Sequence, residues 1–136
     1  MQKKSVKKVV KKKGDKGNIC LIYEDEGVEG KVYFYTHWRG SNMREIIRQA
    51  LIRGKDRWDD APYLARIIFS ELIKDDILGL TGYGIAPFEM DRSKLVFVDL
   101  KEQEADGMAF DEYILKPKPL DHKKRLSYTQ LAQGMH

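Results

Sequence analysis

The stretch "NICLIYEDEGVEGKVYFYTHW" (residues 18–38) decides the fold of this chain. It contains two runs, "NICLIYEDE" (18–26) and "KVYFYTHW" (31–38), that are rich in the β-branched and aromatic residues favoured in strands. An acidic connection that includes Gly27 and Gly30 separates the two runs. A short, glycine-bounded connection between two such runs is typical of a β-hairpin, so the sequence predicts one here.

The stretch "SNMREIIRQALIRGK" (41–55) predicts the first helix. Its apolar residues recur every three or four positions and form one stripe, while the arginines lie largely off that stripe. Asn42 and Glu45 have the spacing of a capping box, and Ser41 is the competing cap. Gly54 is a typical helix stop.

The stretch "DDAPYLARIIFSELIKDD" (59–76) predicts a second helix with a broad apolar face. Either Asp59 or Asp60 can cap it, and Pro62 occupies the first turn, where its missing N–H costs little. Trp58 stands just before the cap, a position from which its ring can pack on the start of the helix. The two helices follow the hairpin directly in the sequence.

Three further stretches complete the expected fold. The runs "LTGYGIAPF" (80–88) and "LVFVDL" (95–100) predict strands, and the second is apolar throughout, which indicates a central strand buried on both faces. The run "FDEYILK" (110–116) fits either a short edge strand or a helical turn. The order of elements predicts an α+β fold: a mainly antiparallel sheet of about four to five strands with two helices packed on one face.

Charge divides the chain into three parts. Residues 1–16 hold eight lysines against one acid, a net charge of +7, with too few apolar residues to form a core. Residues 17–116 hold 13 Lys and Arg against 19 Asp and Glu, a net charge of −6, and residues 117–136 carry +3. We therefore predict a basic disordered arm (1–16), a single α+β domain (17–116) and a basic, loosely ordered tail (117–136).

The composition also bears on partners and location. The single cysteine, Cys20, excludes an internal disulfide, and no four-ligand zinc pattern is present. No apolar run approaches the roughly 20 residues that a membrane span needs. We expect a cytoplasmic protein without cofactor, metal or membrane contact. The lysine-rich ends predict weak, salt-sensitive contact with nucleic acid, or simply solubilise the chain.

Three motifs resemble those of a group of small, mostly uncharacterised bacterial and phage proteins. They are a strand ending in His-Trp-x-Gly (His37, Trp38, Gly40), a Trp-x-Asp-x-x-Tyr-Leu-x-Arg segment (Trp58, Asp60, Tyr63, Leu64, Arg66) and a Thr-Gly-x-Gly-Ile strand (Thr81, Gly82, Gly84, Ile85). The resemblance covers roughly residues 18–100. It implies the domain boundaries given above and a phage-like origin, and no function comes with it.

The clearest candidate for a ligand site is the corner where the second hairpin strand leads into the first helix. The first turn of a helix has unpaired N–H groups and a partial positive charge, which attract anions. Gly40 would let a ligand approach the backbone, and Arg39, Ser41 and Asn42 add donors. The pattern predicts a phosphate held by Arg39 and by the backbone N–H groups of Ser41 and Asn42.

Aromatic residues near this corner predict contacts to a base or sugar. Tyr35 and His37 share one strand face, and Trp38 or Tyr35 offers a ring on which a base can stack. Tyr83, between two glycines, is expected to close the site from the other strand. The competing interpretation is structural: Trp38 is a core residue and His37 is a sheet histidine bonded to a carbonyl group.

These residues favour a binding protein over an enzyme. No Ser or Cys stands in a nucleophile motif, so no catalytic residue is assigned. The sequence predicts non-catalytic binding of a small phosphorylated ligand, a nucleotide or a nucleotide-derived signal, by a phage-encoded accessory or anti-defence protein. The alternative is a nucleic-acid- or protein-binding accessory module that uses the lysine-rich arm. Assembly into a homo-oligomer stays open.

Overall fold

The computed structural model describes residues 14–115. The strands are β1 (Gly17–Asp25), β2 (Val28–Thr36), β3 (Tyr83–Ala86), β4 (Lys94–Asp99), β5 (Glu104–Ala105) and β6 (Met108–Ala109). The α-helices are α1 (Met43–Arg53), α2 (Ala61–Ile73) and the single turn α3 (Phe110–Tyr113). The predicted hairpin is present as β1 and β2, and the stretch 110–116 contains a helical turn rather than an edge strand.

The strands form one sheet in the order β3-β2-β1-β4-β5-β6. The β1–β4 pair is parallel, and the other four neighbouring pairs are antiparallel. The α+β class is confirmed. The sheet is mixed, and it has six strands where four to five were expected, because two strands of two residues each were missed. Asp106 and Gly107, both with positive φ, make the tight turn between those two strands.

The core lies between one face of the sheet and the helices α1 and α2. In the strand register, Ile19 of β1 stands beside Phe34 of β2 and Val96 of β4, so all three point to the same face. Leu21 and Val98 form the next row on that face, and all five are buried. The buried helix residues that join them in the core are Met43, Ile46, Ile47, Ala50, Leu51, Leu64, Ile67, Ile68 and Leu72.

The opposite face of the sheet is only partly covered. Asn18 and Cys20 of β1 are fully buried there, whereas Phe97 of β4 is 43% exposed and Leu95 is half-buried. The expectation that 95–100 is buried on both faces is therefore wrong. An apolar run does not show on its own whether a second layer covers both of its faces.

A short crossover covers part of this face. β3 and β4 both run parallel to β1, yet β2 and β1 lie between them, so residues 87–93 must cross the sheet. The buried Asn18 amide holds the crossover: its Nδ2 donates to Met90 O at 2.7 Å, and its Oδ1 accepts from Met90 N–H at 3.0 Å. The hydroxyl of Tyr35 adds a bond to Asp91 at 3.1 Å.

The two long helices begin differently. Asp60, one of the two predicted candidates, caps α2 by accepting from the backbone N–H of Tyr63 at 3.2 Å. The predicted capping box of α1 is wrong, because Asn42 makes no side-chain cap bond. The carboxylate of Glu45 instead accepts from Arg48 and from Gln49 on the surface of α1.

The folded part begins before the expected boundary at residue 17. Asp15 N–H donates to His37 O at 2.7 Å, and Asp15 O accepts from Gly40 N–H at 2.6 Å, so Asp15 packs on the domain. Residues 1–13 of the expected arm and all of the expected tail (117–136) lie outside the described residues. None of the helices within 14–115 has the length and apolar character needed to cross a membrane.

Replacing Asn18 with Ala should destabilise the fold markedly. The change leaves the N–H and C=O groups of Met90 without their partner, at a cost of about 1–3 kcal/mol for each group that stays unsatisfied. Asn42→Ala is the matched control, because Asn42 is exposed and forms no side-chain cap bond; it should change stability by less than about 0.5 kcal/mol. Urea unfolding measures both, and equal stability of the two variants would contradict this role of Asn18.

Candidate functional site

The corner between β2 and α1 is built on Thr36, the last residue of β2. Its buried hydroxyl accepts from the backbone N–H groups of Trp38 at 3.2 Å and Arg39 at 3.0 Å, which turns the chain sharply. Gly40 follows and is buried, and a Cβ at this position would clash with the backbone oxygens of Asp15 and Lys16. The gap beside Gly40, in which a ligand was expected, is filled by the chain itself.

The guanidinium of Arg39 binds the end of helix α2. Its Nη1 donates to the carbonyl oxygens of Glu71 at 3.1 Å and Leu72 at 3.0 Å. These carbonyls belong to the last turn of α2, whose C=O groups have no partner within the helix. A cation at this position also interacts favourably with the negative end of the helix dipole. Arg39 therefore joins the sheet corner to α2.

A carboxylate occupies the place predicted for a phosphate. Asp15 accepts from the backbone N–H of Ser41 at 3.0 Å and from Lys94 Nζ at 2.9 Å. Desolvation raises the pKa of Asp15, but the hydrogen bonds from Lys94 and Ser41 outweigh it, so the net shift is downward and the carboxylate stays charged. The N–H of Asn42 is bound to Arg39 O at 2.9 Å within the short turn before α1.

The two tyrosines of the predicted site lie on opposite faces of the sheet. The register places Tyr83 beside Thr36 on the helix-facing side of the sheet, whereas Tyr35 points to the opposite side. Tyr35 is 8% exposed, and its hydroxyl lies 3.2 Å from His37 Nδ1 and donates to Asp91. Burial raises the pKa of Tyr35, and the bond to Asp91 acts in the same direction.

Trp38 packs within the corner. Its indole ring meets the His37 ring edge-on at a centroid distance of 4.2 Å, and it lies so close to Gly82 that a Cβ there would clash with it. Tyr83 lies near Arg39: burial raises the pKa of Tyr83, and the charge of Arg39 opposes that shift. The donors predicted to bind phosphate thus have partners within the protein, and the phosphorylated-ligand site stays a prediction.

A cavity of about 360 Å³ beside the corner does not add a basic surface. It is bounded by Arg39 and Lys74, but also by the carboxylate residues Glu45 and Glu71. The buried carboxylate of Glu71 is itself paired with Arg53 and with Lys74. This balance of charges is not complementary to a phosphate.

A larger cavity, of about 730 Å³, lies between the far end of the hairpin and the start of α2. We call it the acidic groove; it is lined by Leu21, Tyr23, Glu24, Asp25, Val32, Asp59, Asp60, Ala61, Pro62 and Ala65. Alternation along β1 directs the side chain of Asp25 to the helix-facing side and that of Glu24 to the other. The groove therefore combines an apolar floor with carboxylates from two separate elements.

The carboxylates of the groove differ in their partners. Asp60 caps α2 and pairs with Arg57 at 3.1 Å, and the Arg57 guanidinium also lies 4.3 Å from the centre of the Tyr63 ring. Asp25 and Asp59 are exposed, and neither forms an ion pair with any residue in 14–115. The two are 34 positions apart in the sequence, so only the packing of α2 against the hairpin brings them together.

The described residues contain little that suggests metal or nucleophile chemistry. No group of three or more His, Cys, Asp or Glu side chains among residues 14–115 is arranged to hold a metal ion. Cys20 is buried, and its burial raises the pKa of the thiol, which disfavours the reactive thiolate.

Comparison with known proteins gave no match: no protein-family model, curated protein or solved structure is similar to this chain.

Replacing Arg39 with Ala should destabilise the protein by about 1.5–3 kcal/mol, the range for hydrogen bonds that involve a charged group. The change frees two carbonyl groups at the end of α2. Arg66→Ala is the matched control, because Arg66 is exposed on α2, and it should change stability by less than about 0.5 kcal/mol. Thermal or urea unfolding measures the stability of both variants. If Arg39→Ala is as stable as the unmodified chain, the Arg39 guanidinium does not hold α2 and is free to bind a ligand.

Proposed function

We propose that the protein is a non-catalytic binding module whose acidic groove takes lysine or arginine side chains from an extended segment of a partner protein. The observation that carries the proposal is the groove itself. Asp25 and Asp59 stand beside an apolar floor, and neither has an ion-pair partner in the described part of the chain. Its volume falls in the range of typical ligand pockets.

The chemistry of the groove matches a basic side chain with an aliphatic stem. Tyr23, Val32 and Pro62 offer apolar surface to the methylene groups, and the carboxylates accept from the charged head group. Lysine and arginine bury their stems in this way while the head stays near water. A neutral apolar ligand would leave the two carboxylates unpaired, and an anion would be repelled by them.

The binding free energy expected for one basic side chain is small, which favours a segment with several basic residues over a single free cation. Burying the lysine stem gains at most about 0.8 kcal/mol for each methylene, and an exposed ion pair adds about 0.2–1 kcal/mol. The entropy lost on association opposes this gain. One lysine therefore binds weakly, and useful affinity requires neighbouring contacts along an extended chain.

The overall charge supports the same class of partner. The part of the chain with a net charge of −6 is the part that carries the groove, and this charge attracts a basic segment before contact is made. Residues 1–13 of this chain have the required composition, with seven lysines and three valines. A peptide with that sequence is a suitable probe of the proposed chemistry.

The other functions expected from the sequence stay predictions. A phosphorylated ligand at residues 36–42 would have to displace Asp15 from Ser41 and Lys94. The phage accessory or anti-defence role depended on that ligand and on the resemblance described above. Nucleic-acid contact through the lysine-rich ends concerns residues that lie mostly outside 14–115.

The proposal predicts that a labelled peptide with the sequence of residues 1–13 binds the full chain, and that binding weakens as salt is added. The double variant Asp25→Asn/Asp59→Asn should bind roughly two- to thirty-fold more weakly, the equivalent of two exposed ion pairs. Fluorescence anisotropy measures the affinity.

Two controls make this experiment specific. Asp75→Asn/Asp111→Asn removes the same charge from exposed positions that do not line the groove, and it should bind the peptide about as tightly as the unmodified chain. A peptide with glutamine in place of each lysine should not bind. Equal loss in both double variants would show that overall charge attracts the peptide, and no binding at all would contradict the proposed function.

A further inference from the structure

Exposed apolar side chains are concentrated around strand β3. Of the nine large apolar residues that are exposed in the described part of the chain, five fall within residues 77–88: Ile77, Leu78, Leu80, Ile85 and Phe88. Leu80 is 97% exposed, Phe88 61% and Ile85 57%. Exposed apolar residues that cluster often mark an interaction surface, whereas single exposed apolar residues scattered over a protein are normal.

The strand inside this cluster has a free edge. Among residues 14–115, β3 is the last strand of the sheet and pairs only with β2. His37 N–H donates to Gly82 O at 2.8 Å, which makes His37–Gly82 a hydrogen-bonded pair. Such pairs alternate in an antiparallel ladder, so Tyr83 and Ile85 direct their N–H and C=O groups away from β2. These four groups are available to another strand.

Three exposed residues and the half-buried Tyr83 belong to pairs of positions that are symmetric about Gly84. Tyr83 and Ile85 lie one position to either side of it, and Leu80 and Phe88 lie four positions to either side. In an antiparallel pair of two identical strands, residues equally distant from the symmetry axis face each other. An axis at Gly84 therefore places Tyr83 opposite Ile85 of the second copy, and it brings Leu80 towards Phe88 of that copy.

We infer that β3 pairs with β3 of a second copy of this chain, antiparallel and about a two-fold axis at Gly84. The arrangement uses all four outward backbone groups, and Ile85 gains apolar neighbours on the side where it is now exposed. The sheets of the two copies become one continuous sheet, and the dimer contains two acidic grooves. The contact is isologous, so it closes with two copies and does not extend into a fibre.

The local structure at Gly84 suits this axis. A Cβ at Gly84 would meet no atom within 4 Å, and the residue does not have a positive φ, so a side chain there fits the isolated chain. Across the axis the two Gly84 residues form a non-hydrogen-bonded pair, in which the Cα atoms approach to about 4.5 Å. A charged side chain at this position is harmless to one copy and faces its equivalent in the dimer.

The experiment is sedimentation equilibrium of the full chain and of two variants. The unmodified chain should be dimeric. Gly84→Glu should raise the dimer dissociation constant by roughly a hundredfold or more, because like charges are forced together, while the circular dichroism spectrum stays unchanged because each copy keeps its fold. Val28→Glu, which places the same charge on an exposed residue at the far end of the hairpin, should remain dimeric.

A cross-link tests the geometry directly. Cys20 is buried, so Gly84→Cys adds the one exposed thiol in the described residues, and the expected Cα separation suits a disulfide. Oxidation should convert Gly84→Cys to a covalent dimer, whereas Val28→Cys should give little. A monomeric unmodified chain, a Gly84→Glu variant that stays dimeric, or equal cross-linking of both cysteine variants would each overturn the inference. None of these outcomes depends on peptide binding in the groove.

Discussion

The fold depends on the pair of hydrogen bonds between the buried Asn18 amide and the backbone of Met90. They hold the crossover that carries the chain from one side of the hairpin to the other. Because of that crossover, β4 lies parallel to β1 and presents Val96 and Val98 to the helices, and β3 is left at the edge of the sheet. The crossover therefore sets the strand order and leaves β3 at the edge, and the Asn18 amide holds the crossover in place.

The charged groups near the two ends of β1 differ in whether they have partners in the described part of the chain. At the start of β1, the Asp15 carboxylate is held by Ser41 and Lys94, and Arg39 is bound to the end of α2. These charged groups already have hydrogen-bond partners within the domain, and those bonds stabilise the fold. At the other end, Asp25 and Asp59 have no such partner within 14–115. A ligand gains most from the charges that the protein itself leaves unpaired.

Local features of the structure could be predicted from the sequence, and long-range ones could not. The hairpin and the two long helices depend on neighbours a few residues apart and were predicted, as was a cap of α2 by Asp59 or Asp60. The β1–β4 and β2–β3 pairings, the role of Asn18 and the position of Asp15 depend on contacts 22 or more positions away, which leave no periodic signal in the sequence. The corner at residues 36–42 was expected to bind a ligand; Arg39 and Ser41 there bind groups of α2 and Asp15, which the local sequence does not reveal. The two-residue turn at Asp106 carried a recognisable Asp-Gly signal that could have revealed the last two strands.

The measurement that tests the account most directly is the chemical-shift response of the ¹⁵N-labelled full chain to an unlabelled peptide with the sequence of residues 1–13. If the acidic groove is the binding site, the amide signals of Asp25, Asp59 and Ala65 should shift in a saturable way, while those of Arg39 and Ser41 stay fixed because their charged partners are already in place. Shifts centred on Arg39 and Ser41, or no saturable shift at the groove, would contradict it.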